Sequence, residues 1–487
     1  MPQAALGRGG GGVTATDLPI VTAAQMRALE ADAIAAGTPA WALMESAGLA
    51  AARAVAAFAG GLPTLVLCGS GNNGGDGYVM ARILRSWGWQ VRIAALAPPL
   101  TVDAQVAAAH WDGPVEPLNE TTVSAPVLID ALFGIGLSRS IDETIVTGLH
   151  RLAAAARIVV AIDLPTGVST DDGRCLSAPV AADMTVTFGA AKPAHVLHPA
   201  AAYCGRLVIA EIGLAPEHSL ITRVGCPILP PLASGVHKFT RGHVLIAGGP
   251  KTSASAARLT ALAAQRAGAG YVTLLSPADA LDGNAAHPGS VVLARADTPA
   301  ELAAAASDAR VSAIAAGPGF GLGERRDALR ALMTVGTPIV LDADVFSLFS
   351  GDAAGLKAAL SGPAVLTPHQ GEFRRLFGDL PGSKIDQVRL AAQSVGSVVL
   401  LKGPDTVIAD PAGRVAVCNR GTADLATAGS GDVLTGIIAA LLARGLSPFD
   451  AACAGAWLHA EAGCRAGHGL IAEDLIDRVA AVATDCR

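Results

Sequence analysis

The strongest chemical signal in the chain is a glycine-rich segment that leads directly into an apolar helix. It reads ATAGSGDVLTG over residues 426–436. Backbone amides at a helix N-terminus attract an anion, and glycine lets a phosphate approach them closely. Asp432 at the helix entrance has two interpretations. It either caps the helix, or it is the base that deprotonates a hydroxyl attacking a phosphoryl group.

Three further loops in the same half follow predicted strands and favour the second interpretation. They read AGPGFG at 316–321, LTPHQGE at 366–372 and LKGPDT at 401–406. Since the carboxyl ends of parallel strands share one edge of a doubly wound sheet, these loops should converge. Lys402 and nearby amides are then placed to hold a nucleotide. His369 is alternatively a turn residue after Pro368, and Asp342 and Asp344 fit loop support or helix capping equally well.

A second set of such loops lies in the N-terminal half. The segment GSGNNGGDG at 69–77 connects a predicted strand to a helix, which suits a dinucleotide or another phosphate. Asp130 and Asp163 each end a further predicted strand and precede glycine-containing loops. Either carboxylate could simply close a strand with a polar turn. Three such loops at one sheet edge nevertheless predict a site.

The elements that must position these loops alternate between short apolar strands and Ala-rich helices, including helices at 77–87 and 432–444. Such alternation predicts an α/β protein with two doubly wound domains. The predicted strands are 64–68, 91–95, 127–130, 158–163, 184–188 and 206–211, then 243–247, 271–276, 313–316, 339–342, 364–367, 397–402 and 415–418.

The pattern lapses between residues 216 and 234, where prolines and small polar residues cluster. We therefore expect one domain over 20–224 and a second over 225–487, after a flexible N-terminal tail at 1–19. That tail contains no apolar signal-peptide segment.

Composition narrows the function classes. The net charge of −6 comes with no basic cluster, so nothing favours a nucleic-acid partner. The longest clean apolar run lies between Asp432 and Arg444 and is shorter than the roughly 20 residues that span a bilayer, so no membrane partner is expected. The eight scattered cysteines form no Cys-x-x-Cys pair, which argues against structural zinc or disulfides and fits the cytoplasm.

Taken in order, AGPGFG, DAD at 342–344, LTPHQGE, KGPDTVI and ATAGSGDVLTG resemble the ADP- or ATP-dependent NAD(P)H-hydrate dehydratases, a ribokinase-like family, over about residues 235–485. The resemblance implies that Asp432 is the catalytic base. It also implies a substrate site at Ala256, Gly319, His369 and Asp432, and an adenine nucleotide site at Lys402, Gly403, Pro404, Asp405, Thr406 and Gly431. The loop at 250–256 lacks two glycines that the family usually has, which leaves contacts from Ala256 in doubt.

Residues 20–215 resemble the NAD(P)H-hydrate epimerases in the same way, on the strength of the 69–77 loop, Asp130 and Asp163. The resemblance implies that Asp163 is the catalytic acid/base. It implies a potassium site at Asn73, Asp130 and Thr166, where Thr166 replaces an expected serine. The implied substrate site comprises Asn72, Asn73, Gly74, Gly75, Asp76, Gly134, Ile135, Gly136, Leu137, Ser138, Arg139, Ser140 and Asp163.

Together the two resemblances imply a bifunctional enzyme that repairs hydrated NADH and NADPH. The first domain interconverts the R and S hydrates, and the second dehydrates the S hydrate. ADP is the expected phosphate donor, with ATP as the alternative; Mg²⁺, K⁺ and a homo-oligomer are also expected. Two alternatives stay open: a ribokinase-like kinase of a small alcohol, and an N-terminal half that is a non-catalytic scaffold.

Overall fold

The computed structural model describes residues 18–214, 216, 219–231, 234–286 and 289–486. The chain divides into two compact units between Ile221 and Thr222, near the boundary expected after residue 224. Residues 1–17 of the expected tail lie outside the described residues. Leu18 and Pro19, which were also assigned to that tail, form a short strand.

The N-terminal unit contains a parallel sheet of seven strands among its described residues, in the order β4-β3-β2-β5-β6-β7-β8. The chain builds outward from β2 in one direction and then from β5 in the other. The crevice at such a reversal is where doubly wound sheets bind ligands. The strands are β1 Leu18–Pro19, β2 Thr64–Cys68, β3 Val91–Ala95, β4 Val115–Pro117, β5 Val127–Ala131, β6 Ile158–Ile162, β7 Met184–Phe188 and β8 Arg206–Ala210. The helices are α1 Ala23–Ala35, α2 Ala40–Ala59, α3 Asn72–Ser86, α4 Val102–Ala109 and α5 Glu143–Ala154.

Helix α2 is long and apolar enough, by length and composition alone, to cross a membrane; within the described residues it is the one helix that meets this test. Its apolar side is already covered by protein, because Met44, Ala47, Ala51 and Val55 are buried in the core of the N-terminal unit. The composition of this buried side is therefore accounted for by packing in that core, chiefly against α3.

The C-terminal unit contains a larger sheet, in which β10 to β18 pair in the order β18-β17-β16-β15-β14-β13-β10-β11-β12. Its strands are β9 Ile221–Arg223, β10 His243–Ala247, β11 Tyr271–Ser276, β12 Val292–Arg295, β13 Ala313–Ala316, β14 Ile339–Leu341, β15 Ala364–Leu366, β16 Val398–Leu401, β17 Thr406–Ala409 and β18 Val415–Cys418. Its helices are α6 Ala254–Arg266, α7 Ala278–Ala285, α8 Pro299–Ala306, α9 Arg326–Met333, α10 Asp344–Leu348, α11 Ala353–Ala359, α12 Gln370–Phe377, α13 Lys384–Val395, α14 Ser430–Ala443, α15 Pro448–Ala466 and α16 Ala472–Asp485.

Every pair of neighbouring strands among β10 to β16 is parallel. Strand β17 pairs antiparallel with both of its neighbours, β16 and β18. Strand β17 was not predicted from the sequence. Only residues 402–405 separate it from β16, and a parallel connection requires a crossover of a dozen or more residues. A hairpin is therefore the one pairing this short connection permits.

Helix α14 lies in the core of the C-terminal unit and carries Asp432 in its first turn. It packs on α6 so closely that a Cβ at Gly436 would come within 2.2 Å of the Thr260 carbonyl oxygen. Its residues from Val433 to Leu442 are buried. This packing fixes the first turn of the helix against the carboxyl ends of the neighbouring strands.

Candidate active sites

In the N-terminal unit, Asp163 directly follows β6 and has a left-handed backbone, with φ of 63°. Non-glycine residues rarely adopt this conformation, and it concentrates at functional sites. The side chain is buried, with 7% of the residue exposed. The strain and the burial both set this aspartate apart from one that merely ends a strand.

The carboxylate of Asp163 is held by a buried lysine that the sequence analysis did not identify. Lys192 Nζ donates to Asp163 Oδ1 at 2.8 Å, to Thr187 Oγ1 at 2.6 Å and to the Phe188 carbonyl at 3.1 Å. Thr187 Oγ1 also lies 2.9 Å from Asp163 Oδ1. Burial by itself raises the pKa of Asp163, but the Lys192 charge and these hydrogen bonds outweigh it and hold the pKa below its usual value.

His195 fixes the backbone around this ion pair. Its Nδ1 accepts from the Lys192 amide at 2.9 Å, and so its Nε2 donates to the Asp163 carbonyl at 2.7 Å. Burial and the Lys192 charge lower the pKa of His195 to about 4. A neutral imidazole has one donor and one acceptor nitrogen, which is the pattern these two bonds require.

The predicted potassium ligands Asp130 and Thr166 are adjacent. Thr166 Oγ1 donates to Asp130 Oδ1 at 2.7 Å, and the Thr166 amide donates to Oδ2 at 2.9 Å. Among the described residues, both amide atoms of Asn73 are buried without a hydrogen-bond partner. Such orphaned polar atoms are costly and call for an explanation, and a cation bound at Asn73 Oδ1 would supply one.

The glycine-rich loop at 69–77 has a structural explanation for part of its composition. A Cβ at Gly69 would lie 1.9 Å from the Leu132 carbonyl oxygen, and one at Gly74 would lie 1.9 Å from the Gly69 carbonyl oxygen. These two glycines are therefore required by backbone packing. Gly71 has open space at its Cβ position and precedes α3, so it leaves the helix N-terminus accessible.

The predicted 134–140 loop reaches Asp163 at its beginning. The Ile135 amide donates to Asp163 Oδ2 at 3.1 Å, and a Cβ at Gly134 would lie 2.7 Å from the same oxygen and 3.2 Å from Asn73 Oδ1. The structure thus brings Asn73, Gly134, Ile135 and Asp163 together. The rest of the predicted loop is more open: Leu137 is half-buried, while Gly136, Ser138, Arg139 and Ser140 are exposed.

Two further carboxyl groups, those of Asp76 and Glu30, interact electrostatically with Asp163. Asp76 follows Asn72 in the first turns of α3, and burial together with the charges of Asp163 and Glu30 raises its pKa well above the usual value. Burial also raises the pKa of Glu30, which lies on α1 and was not predicted. A carboxylate with a lowered pKa beside carboxyl groups with raised pKa values is the arrangement expected for acid and base chemistry in one pocket.

In the C-terminal unit, Asp432 lies in the first turn of α14, directly after the loop formed by Gly429, Ser430 and Gly431. Gly429 has φ of 84°, which a side chain would disfavour. Burial, followed by the charge of Asp342, raises the pKa of Asp432 to about 7, although Lys402 acts in the opposite direction. A carboxylate with this pKa is suited to accept a proton at neutral pH.

Lys402 lies beside carboxylates, unlike a lysine whose charge is available only to a phosphate. Its Nζ lies 2.7 Å from Asp342 Oδ1 and 3.9 Å from Glu372 Oε2. A Cβ at Gly431 would lie 3.3 Å from Lys402 Nζ, so the lysine lies directly beside the glycine loop. Lys402 is therefore adjacent to the loop as predicted, but an acidic partner already compensates its charge.

The other predicted nucleotide ligands form a tight turn between β16 and β17. Thr406 Oγ1 donates to the Gly403 carbonyl at 2.9 Å, and Gly403 and Pro404 are exposed. Asp405 is buried, and Lys384 Nζ contacts its Oδ1 at 2.6 Å. The Asp405 carboxylate thus anchors α13, which is a structural role that the sequence analysis did not separate from nucleotide binding.

His369 caps α12 and also borders the site. Its Nδ1 accepts from the Gly371 amide at 2.9 Å, which supports the turn interpretation. The Lys402 amide donates to the carbonyl of the preceding Pro368 at 2.9 Å, so the two loops lie side by side. The His369 side chain is 57% exposed, and its Nε2 lies 3.5 Å from Glu372 Oε1.

The predicted substrate residues Gly319 and Ala256 lie against each other. A Cβ at Gly319 would lie 3.1 Å from the Ala256 Cβ, and Ser253 Oγ donates to the Gly319 carbonyl at 2.7 Å. Asp344 Oδ2 accepts from the Gly321 amide at 2.8 Å and so supports the same loop. Although the loop at 250–256 lacks two expected glycines, Ala256 still packs against Gly319.

Sequence reasoning missed Lys192 and Thr187 in the first site and the buried partners of Lys402 in the second. One available signal was the pair of lysines within short apolar segments, since a buried lysine requires a compensating carboxylate. Asp342 was assigned only loop support or helix capping. Thr435 lies inside the quoted motif but was given no role.

Each unit is thus an α/β domain with an aspartate at the carboxyl edge of its sheet. Residues 244–479 match the family model described as NAD(P)H-hydrate dehydratase, and residues 40–194 match the model for the YjeF-related protein N-terminus. The chain is 36% identical to the bifunctional NAD(P)H-hydrate repair enzyme of Moorella thermoacetica, covering 94% of this chain and 95% of that protein.

A second relative of the same description, from Salinibacter ruber, is 34% identical and is covered to 96%, as is this chain. Among solved structures, an ADP/ATP-dependent NAD(P)H-hydrate dehydratase from Bacillus subtilis is 29% identical, covers 53% of this chain and 95% of its own, and has a TM-score of 0.46. On the evidence of the near-full-length relatives, the chain belongs to the family of bifunctional NAD(P)H-hydrate repair enzymes.

Proposed function

We propose that the protein repairs hydrated NADH and NADPH through two activities, an epimerase over residues 20–224 and a dehydratase over 225–487. The observation that supports this most strongly is that both halves match their family models while each keeps an aspartate at the carboxyl edge of its own sheet. The substrate of both would be a dihydronicotinamide ring to which water has added.

In the dehydratase, phosphorylation solves the problem that hydroxide is a poor leaving group. Asp432 accepts the proton of the ring hydroxyl, whose oxygen then attacks the terminal phosphoryl group of ADP, and AMP leaves. The amides of residues 429–431 stabilise the transferred group, a contribution that costs roughly 2.7–4 kcal/mol per lost donor in comparable sites. Loss of inorganic phosphate, together with a proton from the neighbouring ring carbon, then restores the ring double bond.

In the epimerase, Asp163 acts as acid/base at the reacting carbon. Lys192 keeps this carboxylate ionised and oriented, and the Ile135 amide fixes its second oxygen. Substrate would lie against the Asn72–Asp76 and Gly134–Ser140 segments. The S hydrate so produced is the form that the dehydratase consumes.

Potassium is compatible with the residues present. The orphaned amide of Asn73 and the paired oxygens of Asp130 and Thr166 are hard donors of the type that K⁺ prefers. When bound, K⁺ would supply positive charge beside the buried carboxylate of Asp130. Burial raises the pKa of Asp130, although the hydrogen bonds from Thr166 and Leu132 act in the opposite direction.

Magnesium fits differently. Among the described residues there is no cluster of three His, Cys, Asp or Glu side chains arranged to hold a metal. Mg²⁺ typically keeps several waters and binds through substrate phosphates with one or two carboxylates. We therefore expect it to arrive with the nucleotide, and we assign it no protein ligand.

The decisive experiment follows the near-ultraviolet absorbance of reduced nicotinamide after the protein is added to a mixture of hydrated NADPH epimers with ADP or ATP. Complete recovery would establish both activities and identify the phosphate donor. Recovery of the S epimer's share alone would remove the epimerase assignment. No recovery with either nucleotide, but release of a stable phosphorylated alcohol in a substrate screen, would favour the small-molecule kinase.

A further inference from the structure

A buried carboxylate that has no assigned role lies at the centre of the C-terminal site. Asp342 directly follows β14 and is 1% exposed. Its Oδ1 accepts a hydrogen bond from Lys402 Nζ at 2.7 Å, and its Oδ2 accepts one from Thr435 Oγ1 at 2.8 Å. One side chain therefore joins β14, the loop after β16 and helix α14.

The hydrogen bond from Thr435 brings Asp342 close to the first turns of α14, which carry Asp432. Thr435 lies three residues after Asp432 in α14, so the two share one face of the helix. A Cβ at Gly431 would lie 3.7 Å from Asp342 Oδ2 and 3.3 Å from Lys402 Nζ. The ion pair thus lies beneath the glycine loop, next to the carboxylate that must act as base.

The backbone around Asp342 is strained in a way that holds it there. Ala343 has φ of 49° and ψ of −109°, a conformation that non-glycine residues rarely adopt. A Cβ at Gly317 would lie 1.8 Å from the Asp342 carbonyl oxygen, so the AGPGFG loop packs directly on this residue. Helix capping, the alternative considered from the sequence, does not require such packing.

We propose that Asp342 is a positioning residue of the dehydratase site, whose carboxylate holds Lys402 and the first turn of α14 in a fixed arrangement around Asp432. This inference rests on the proposed dehydratase function. Asp342 makes no contact with the substrate in this proposal. The residue acts through Lys402 and Thr435.

This arrangement also surrounds Asp432 with opposing charges. The charged groups acting on it are Asp342 after β14, Asp344 at the start of α10 and Lys402 after β16. From the neighbouring helices, α6 contributes the neutral Thr260, whose Oγ1 donates to the Asp432 carbonyl at 3.1 Å, and α15 contributes His459. Burial lowers the pKa of His459 to about 4, so it is neutral near pH 7. Glu372 on α12 lies behind Lys402.

The test is the pH dependence of kcat for nucleotide-dependent dehydration of purified S hydrate by the full-length protein. A base must be ionised to act, so the wild-type rate should fall as the pH drops through about 7. Asp342→Asn removes a negative charge and should move this acid limb to lower pH by about one unit, while lowering the maximal kcat. Lys402→Gln removes a positive charge and should move the limb to higher pH while raising the nucleotide KM.

Two further variants separate charge from mere structural support. Thr435→Val keeps the charge of Asp342, so it should lower kcat and leave the acid limb in place. Asp344→Asn removes a charge that acts more weakly on Asp432 and should give a smaller shift in the same direction as Asp342→Asn. If Asp342→Asn does not fold, the upward shift in Lys402→Gln and the unmoved limb in Thr435→Val still test the arrangement.

A folded Asp342→Asn protein with an unmoved acid limb would overturn the inference, as would a shift of equal size in Thr435→Val. Failure of the proposed function is distinguishable from both, because the wild-type protein would then show no dehydration at any pH.

Discussion

The two candidate catalytic aspartates differ in local position and in electrostatic environment: Asp163 directly follows β6, and Asp432 lies in the first turn of α14. Asp163 shares a buried ion pair with Lys192, which holds its pKa below the usual value. Asp432 faces Asp342, and burial together with that charge raises its pKa to about 7. Burial and the charged groups nearby, rather than a shared local position, therefore determine the protonation of each carboxylate.

This contrast suits the two reactions proposed. A carboxylate that must take a proton from an alcohol benefits from a pKa near the working pH. One that must remain ionised in a buried pocket needs a permanent counter-charge, since an isolated buried carboxylate would otherwise take up a proton. The predictions below test whether the two sites are as independent and as different as the structure indicates.

The largest effect is expected for Asp432→Asn, which removes the base and preserves the side-chain size. Dehydration should fall by about 10²–10⁴-fold, while epimerisation is unchanged, because Asp432 lies in the other compact unit. Nucleotide-dependent recovery of reduced cofactor measures the first activity. Chromatographic separation of the two hydrates measures the second. Loss of both activities in a folded variant would mean that the sites are not independent.

The converse variant, Asp163→Asn, should lower epimerisation by about 10²–10⁴-fold and leave dehydration of purified S hydrate intact. The same two assays apply. With mixed epimers and nucleotide, this variant should stop after consuming the S share. Full recovery at the wild-type rate would show that Asp163 has no catalytic part.

Lys192→Met tests the counter-charge. It leaves Asp163 buried and unpaired, which should cost about 3–5 kcal/mol in the free energy of unfolding of the N-terminal unit, in addition to epimerase activity. Denaturant unfolding measures the cost. Arg174→Gln is the matched control: it removes an ion pair to Asp172 in the same unit, but the arginine is 73% exposed, so about 0–1 kcal/mol is expected. Equal costs would show that burial of the Lys192 pair is energetically irrelevant.

The smallest but most direct comparison is the pH profile of the two activities in one preparation. The pKa of Asp432 is raised to about 7, so dehydration should weaken as the pH falls below neutrality. The pKa of Asp163 is lowered, so it stays ionised to below the ordinary carboxyl range, and epimerisation should persist on the acid side. Coincident acid limbs would contradict the electrostatic difference between the sites.

Much of this could be predicted from the sequence. The strands that carry the sites were identified within one or two residues, because apolar β-branched runs between Ala-rich helices have few other interpretations. Asp163 and Asp432 were placed in candidate sites because loops at strand ends lie at one sheet edge, and the family resemblances implied their catalytic roles. Strand β17 was missed because its four residues follow a short turn and carry no helix-alternation signal.

The charge partners could not be predicted. Lys192 is 29 residues from Asp163, and Asp342 is 60 residues from Lys402 and 93 from Thr435. These pairs meet because β6 lies beside β7, and because β14, β16 and α14 converge at one sheet edge. Local composition determined which segments form strands, helices and glycine loops. The tertiary structure alone decided which charges face each aspartate, since an electrostatic interaction depends on distance in space and burial and not on distance along the chain.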